Sequence, residues 1–141
     1  MKLTYGKSKG YKYHVKIRPF IYELPYPFNG QMANLEYIIL VNNKLFIKIG
    51  YHWDGASGWF DTQAIMRGAL VHDALYQLMR QGEMTRTLRI EADRLLRDIC
   101  IMDGMSRFMA NRVYNAVRLF GGRRSRNGVE NYDKIYETKG E

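Results

Sequence analysis

His72 and Asp73 stand side by side in "ALVHDALYQLMR", and another carboxylate, Asp93, follows in "IEADRLLRDIC". An imidazole with one nitrogen hydrogen-bonded to a buried carboxylate is held in one tautomer, which leaves its other nitrogen available as a general base. His72 and Asp93 are the pair to which that chemistry points, with Tyr76 one helical turn beyond His72. The bland reading of the same residues is a core His-Asp pair that only locks two helices together, since buried charged groups need partners whatever their role.

Asp73 is rotated by about 100° from His72 if the segment is helical. It therefore faces what precedes the helix, which is the loop "WDGASG" with a further carboxylate, Asp54, and glycines that expose backbone carbonyls. Carboxylates and carbonyl oxygens are hard ligands suited to calcium, so Asp54, Gly55 and Asp73 form the candidate metal set. A turn in which Asp54 caps backbone amides is the alternative.

Elements must bring these residues together. Ile65, Ala69, His72, Tyr76 and Met79 recur at steps of three and four, a helical stripe that ends near Gln81 and Gly82. A second stripe runs through Ile90, Asp93, Leu96 or Arg97, and Cys100, and stops at Asp103 and Gly104, where glycine suits a left-handed cap. With a short connection around Gly82 the two helices pack antiparallel. His72 and Asp93 are equidistant from that turn and lie on the inward stripes, so they are predicted to meet. A third helix starts at the cap Ser106, shows Met109, Val113, Val117 and Phe120 on one face, and ends at Gly121 and Gly122.

The N-terminal third has a different period. Tyr11, Tyr13, Val15 and Ile17 alternate with polar residues, which predicts the first strand. "FIYELPYPFNGQMAN" is expected to be an irregular aromatic loop, because Pro25, Pro27 and Gly30 interrupt it. "LEYIILV" and "KLFIKIGY" then read as a hairpin turned by Asn42 and Asn43. The fold class expected is α+β in a single domain of 141 residues: a small antiparallel sheet over 1–52, a loop with a three-helix unit over 53–122, and a basic polar tail over 123–141, loosely held.

The formal charge of +8 favours acidic partners such as anionic lipid or nucleic acid. One cysteine, Cys100, excludes an internal disulfide and fits a reducing compartment. No signal peptide or membrane-spanning run is visible, and a reducing cytoplasm is the simplest compartment to expect.

"DGAS" at Asp54 to Ser57, "HDALY" at His72 to Tyr76, the Ala92-Asp93 pair and "AVRLFGG" at Ala116 to Gly122 together resemble a phage and prophage family of unknown function. The likeness runs from about Tyr51 onward, with Gly58 and Trp59 where that family usually carries proline, and it implies the host cytoplasm or a virion as the location. More remotely, the order Asp54, His72-Asp73, Tyr76, Asp93 and Asp98 resembles bacterial secreted phospholipases A2. That resemblance implies an antiparallel helix pair in which His72 activates water, Asp93 orients His72, and calcium at Asp73, Asp54 and a loop carbonyl stabilises the oxyanion. Those enzymes are disulfide-stapled, unlike this chain, and fold alone does not imply function.

Other motifs carry less. "GASGW" lacks the last glycine of a nucleophile elbow, which makes Ser57 a weak nucleophile. His14 and His52 are too few and too scattered for a His-Asp metal phosphohydrolase, and zinc lacks clustered ligands. Arg123, Arg124 and Arg126 beside glycine could grip the phosphates of nucleic acid, against the alternative of a solvated tail. The leading expectation is a phage-encoded, phospholipase A2-like hydrolase acting with calcium. Its rival is a noncatalytic virion component or host-directed binding protein that contacts another phage or host protein, and a basic nucleic-acid binder stands third.

Overall fold

A computed structural model of the chain describes residues 3–7, 13–16, 18–53 and 63–126. They form an α+β protein with two antiparallel sheets and three helices. By compactness the described residues group into a sheet unit ending at Trp53 and a helical unit beginning at Gln63.

In the sheet unit, β1 (Tyr5–Lys7), β2 (Tyr13–Val15) and β7 (His52–Trp53) make a three-stranded sheet in the order β1-β2-β7. The other sheet contains β3 (Phe20–Glu23), β4 (Ala33–Asn34), β5 (Ile38–Val41) and β6 (Lys44–Ile47) in the order β3-β6-β5-β4. The β5-β6 hairpin is the one expected. Val41 pairs with Lys44 across a two-residue turn, and Asn42 and Asn43 both take positive φ, 51° and 64°, as a twist-matched hairpin turn requires. Strand alternation then sorts the side chains: Phe20, Ile38, Leu40, Leu45 and Ile47 are buried, with Ile47 opposite both Phe20 and Ile38.

Three expectations for this unit need correction. A strand, β1, precedes the one read from Tyr11, Tyr13, Val15 and Ile17, of which Tyr11 and Ile17 lie outside the described residues, and pairs with it, Tyr5 opposite Val15. The stretch expected to be a loop from Phe20 contains two strands, because the prolines begin only at Pro25 and leave Phe20–Glu23 free to pair with β6. Trp53, expected to open the loop, closes the three-stranded sheet opposite Tyr13.

The helical unit is built from α1 (Gln63–Arg80), α2 (Arg89–Met102) and α3 (Arg107–Phe120). Gly82 sits at φ 76°, with its amide bonded to Met79 O and that of Glu83 to Leu78 O, the paired bonds of a Schellman stop. Gly104, at φ 104°, ends α2 in the same way, through the amide of Met105 on Cys100 O. Ser106 caps α3, its hydroxyl accepting from the Met109 amide at 3.2 Å. The helices α1 and α2 run antiparallel: Arg67 reaches Asp103 at one end, His72 reaches Asp93 in the middle, and Tyr76 reaches Arg89 nearer the turn. Gly68 permits the close approach, since a Cβ there would lie 3.1 Å from Leu96 Cδ1 and 3.3 Å from Leu96 O.

The stripe expected on α3 is displaced. Ala110 and Val113 are the buried residues of that helix, while Met109 and Phe120 are exposed. Both sides of α3 carry apolar residues, so periodicity alone did not choose between them. The start of the tail also departs from expectation. Gly122–Ser125 forms a 3-10 turn held by Arg80 Nη1 on Arg124 O at 2.8 Å and by Arg86 Nε on Ser125 Oγ at 3.2 Å, with Ser125 buried.

Candidate active site

Two adjacent helices supply the centre. The α1 stripe turns His72 and Tyr76 inward on successive turns, and the α2 stripe brings Asp93, fully buried, between them. His72 Nε2 lies 2.7 Å from Asp93 Oδ1, and Tyr76 Oη donates to the same oxygen at 2.6 Å. The imidazole and phenol rings are 4.1 Å apart between centroids. Spacing alone therefore located the His72-Asp93 contact.

Two arginines that the spacing argument passed over complete the arrangement. Arg118, from α3, donates from Nη1 to Asp93 Oδ2 at 2.8 Å. Arg89 donates from Nε to Tyr76 Oη at 3.0 Å and from Nη2 to the carbonyls of Val117 and Arg118 at 2.7 and 2.9 Å. Arg89 thus ties the tyrosine to the C-terminal turn of α3, where a cation complements the helix dipole. Arg89 was within reach of the sequence, being four residues before Asp93 on one helix face, and its Nη2 lies 3.9 Å from Asp93 Oδ2. Arg118 had no such signal, since its role depends on where the third helix packs.

With three donors on a buried carboxylate, Asp93 is held as an anion. Burial on its own would raise its pKa, but His72, Tyr76 and Arg118 outweigh that and bring it below the usual carboxylate value of 3.8. An ionised Asp93 accepts only, so Nε2 of His72 carries the proton and Nδ1 is the nitrogen that remains for chemistry. Nδ1 looks toward Asp73 Oδ1 at 3.9 Å, a distance at which Asp73 acts as a charge rather than a hydrogen-bond acceptor. Burial pulls the His72 pKa down, and the two carboxylates more than offset it, leaving it above 6.5. Tyr76 is pushed well above its ordinary value by burial and by Asp93, so it stays a neutral donor.

The candidate metal ligands divide. Asp73 is part-buried, and its Oδ2 is buried without a hydrogen-bond partner. An orphaned carboxylate oxygen of this kind fits a hard cation. Asp54 and Gly55 lie outside the described residues, as does Ser57, and among the described residues no group of three or more His, Cys, Asp or Glu is placed to hold a metal. Asp98, which the remote resemblance included, is exposed and pairs with Arg97 Nε at 3.2 Å, away from the centre. Arg123, Arg124 and Arg126 are exposed around the 3-10 turn after α3. Among the described residues no helix is long and apolar enough to cross a membrane.

Comparison with known proteins finds no family model, no curated protein and no solved structure that matches the chain.

Proposed function

We propose that the chain is a phage-encoded hydrolase of ester lipids, phospholipase A2-like in its chemistry, with His72 as general base and calcium as its cofactor. The observation that carries this reading is the polarity of His72: Nε2 is tied to the buried Asp93, while Nδ1 faces a carboxylate whose second oxygen has no hydrogen-bond partner.

In the reaction His72 Nδ1 takes a proton from the attacking water and later returns it to the leaving alkoxide. Asp93 and Tyr76 are positioning residues: Asp93 fixes the imidazole and stabilises its charged form, and Tyr76 holds Asp93. Asp73 is the described residue that would hold the calcium, which when bound supplies polarisation of the ester carbonyl and charge for the oxyanion. A cation held on Asp73 would also offset the carboxylate charge that raises the His72 pKa, leaving a larger share of the imidazole free as base.

The test is release of fatty acid from mixed phospholipid vesicles with and without calcium, comparing the wild type with His72→Ala, Asp93→Ala and the near-isosteric Asp93→Asn. Calcium-dependent release that all three substitutions abolish, with Asp93→Asn still folded, is the expected result. No release at any calcium level, together with unfolding by His72→Ala and Asp93→Ala, would make the dyad a structural lock. The chain would then be a noncatalytic phage component.

A further inference from the structure

The outward side of α3 has no role in the centre just described, and its composition is unusual for a surface. Phe108, Leu119 and Phe120 are 69%, 76% and 77% exposed, and Met102, at the end of α2, is 62% exposed. On a helical wheel Phe108, Arg112, Asn115 and Leu119 form one line opposite the buried Ala110, with Ala116, Met109 and Phe120 flanking it on the side that leads round to the buried Val113. The line from Phe108 to Leu119 is about 16 Å long at the rise of an α-helix.

Charge accompanies the apolar residues. From Ser106 to Arg126 there are six arginines, Arg107, Arg112, Arg118, Arg123, Arg124 and Arg126, and no acidic residue. Arg118 is used inward on Asp93, and the other five are exposed. Arg112 lies against the Phe108 ring, 5.8 Å from its centroid, so the cation and the apolar group share one patch.

We infer that this face of α3, with the arginines that follow it, docks the protein on an anionic lipid surface. Phe108 and Leu119 enter the boundary between headgroups and acyl chains with Phe120 at its edge, and Arg112, Arg123 and Arg126 meet the lipid phosphates. Nucleic acid would use the arginines and leave Leu119, Met102 and Met109 in water. A second copy of the chain related by a two-fold axis would set arginine against arginine. An anionic bilayer satisfies both halves of the surface at once. The inference rests on the proposed lipid hydrolase in one respect only: α3 is the helix that supplies Arg118 to Asp93, so a lipid bound to its outer side lies one helix away from His72.

Binding is measured by co-sedimentation with vesicles of ether-linked phosphatidylglycerol, which no esterase cleaves, and of ether-linked phosphatidylcholine, both in chelator. The expected result is at least about tenfold tighter binding to the anionic vesicles, reduced about tenfold by Phe108→Ser with Leu119→Ser and independently by Arg112→Glu with Arg123→Glu. All four positions are exposed, and circular dichroism checks that the variants fold. Equal binding to both vesicles, or no loss in the serine variant, overturns the proposal. Oligonucleotide binding that is salt-sensitive and indifferent to Leu119→Ser, without vesicle binding, overturns it in favour of nucleic acid, and dimerisation lost in the serine variant overturns it in favour of self-association. Hydrolysis of a monomeric short-chain ester, measured in parallel, separates the two claims: activity without vesicle binding removes only the docking face, and vesicle binding without activity removes only the enzyme.

Discussion

At the scale of single residues the centre is an electrostatic balance around one buried carboxylate, and its titration follows from that balance. His72 has its pKa raised above 6.5 by Asp73 and Asp93 against the pull of burial, so the stabilisation it contributes is fully present below pH 6.5 and is lost as pH rises through its folded-state value. An NMR titration of the imidazole should therefore show a midpoint above 6.5, and Asp93→Asn should lower it. The gap in melting temperature between wild type and His72→Gln should narrow as pH increases. Asp93 has the opposite sign: its contribution is present above pH 3.8 and is lost as pH falls through its depressed value. Removing it altogether leaves His72 and Arg118 without their buried acceptor, and Asp93→Ala should cost about 3–5 kcal/mol in a urea unfolding series. The pair itself was legible because both partners sit on helical stripes reflected about one turn. Arg118 was not, because no spacing in the chain connects residue 118 to residue 93 until α3 is placed.

At the scale of elements, the last turn of α3 is pressed against Tyr76 at Gly121. A Cβ at that position would lie 2.6 Å from the carbonyl of Val117 and 3.0 Å from Tyr76 Oη. The backbone there has ordinary negative φ, so the demand on Gly121 is for space and not for conformation. Gly121→Ala should destabilise the protein by about 1–3 kcal/mol, seen as a lower urea midpoint, and should displace the Tyr76 hydroxyl from Asp93. The hairpin gives a milder case: Asn42→Ala places an alanine at φ 51°, where asparagine is tolerated, and should cost about 1 kcal/mol by the same measurement. How much of each element the sequence revealed follows from length and one-sidedness. The stripes of α1 and α2 repeat over several turns with polar residues opposite, and the Asn42-Asn43 turn has its own chemistry. The strands β1, β4 and β7 have two or three residues each, too few for an alternation to register. Helix α3 gave its cap and length correctly and its buried face only in part, Val113 but not Met109 or Phe120, for it is apolar on the outside as well.

For the whole molecule the proposed calcium site makes a testable coupling between protons, a divalent cation and folding. If Asp73 ligates calcium, the ion binds the folded chain and not the unfolded one, and it stabilises by mass action, by about 2.7 kcal/mol at a concentration one hundred times its dissociation constant. The melting temperature should rise with calcium in the wild type and stay flat in Asp73→Asn, which keeps the size of the side chain and removes its charge. The proton on His72 opposes the ion, because the imidazolium stands 3.9 Å from the Asp73 oxygen and both are cations seeking the same carboxylate. Calcium should therefore shift the His72 titration downward. By linkage its own affinity should weaken as pH falls through the folded-state pKa of His72, whereas in His72→Gln calcium affinity should be nearly independent of pH over that window. Isothermal titration calorimetry at several pH values reads both effects, since the wild type should release protons on binding calcium and the glutamine variant should not. A calcium affinity equal in the two variants at every pH would remove the metal from Asp73 and leave the His72-Asp93 pair to be judged on hydrolysis alone.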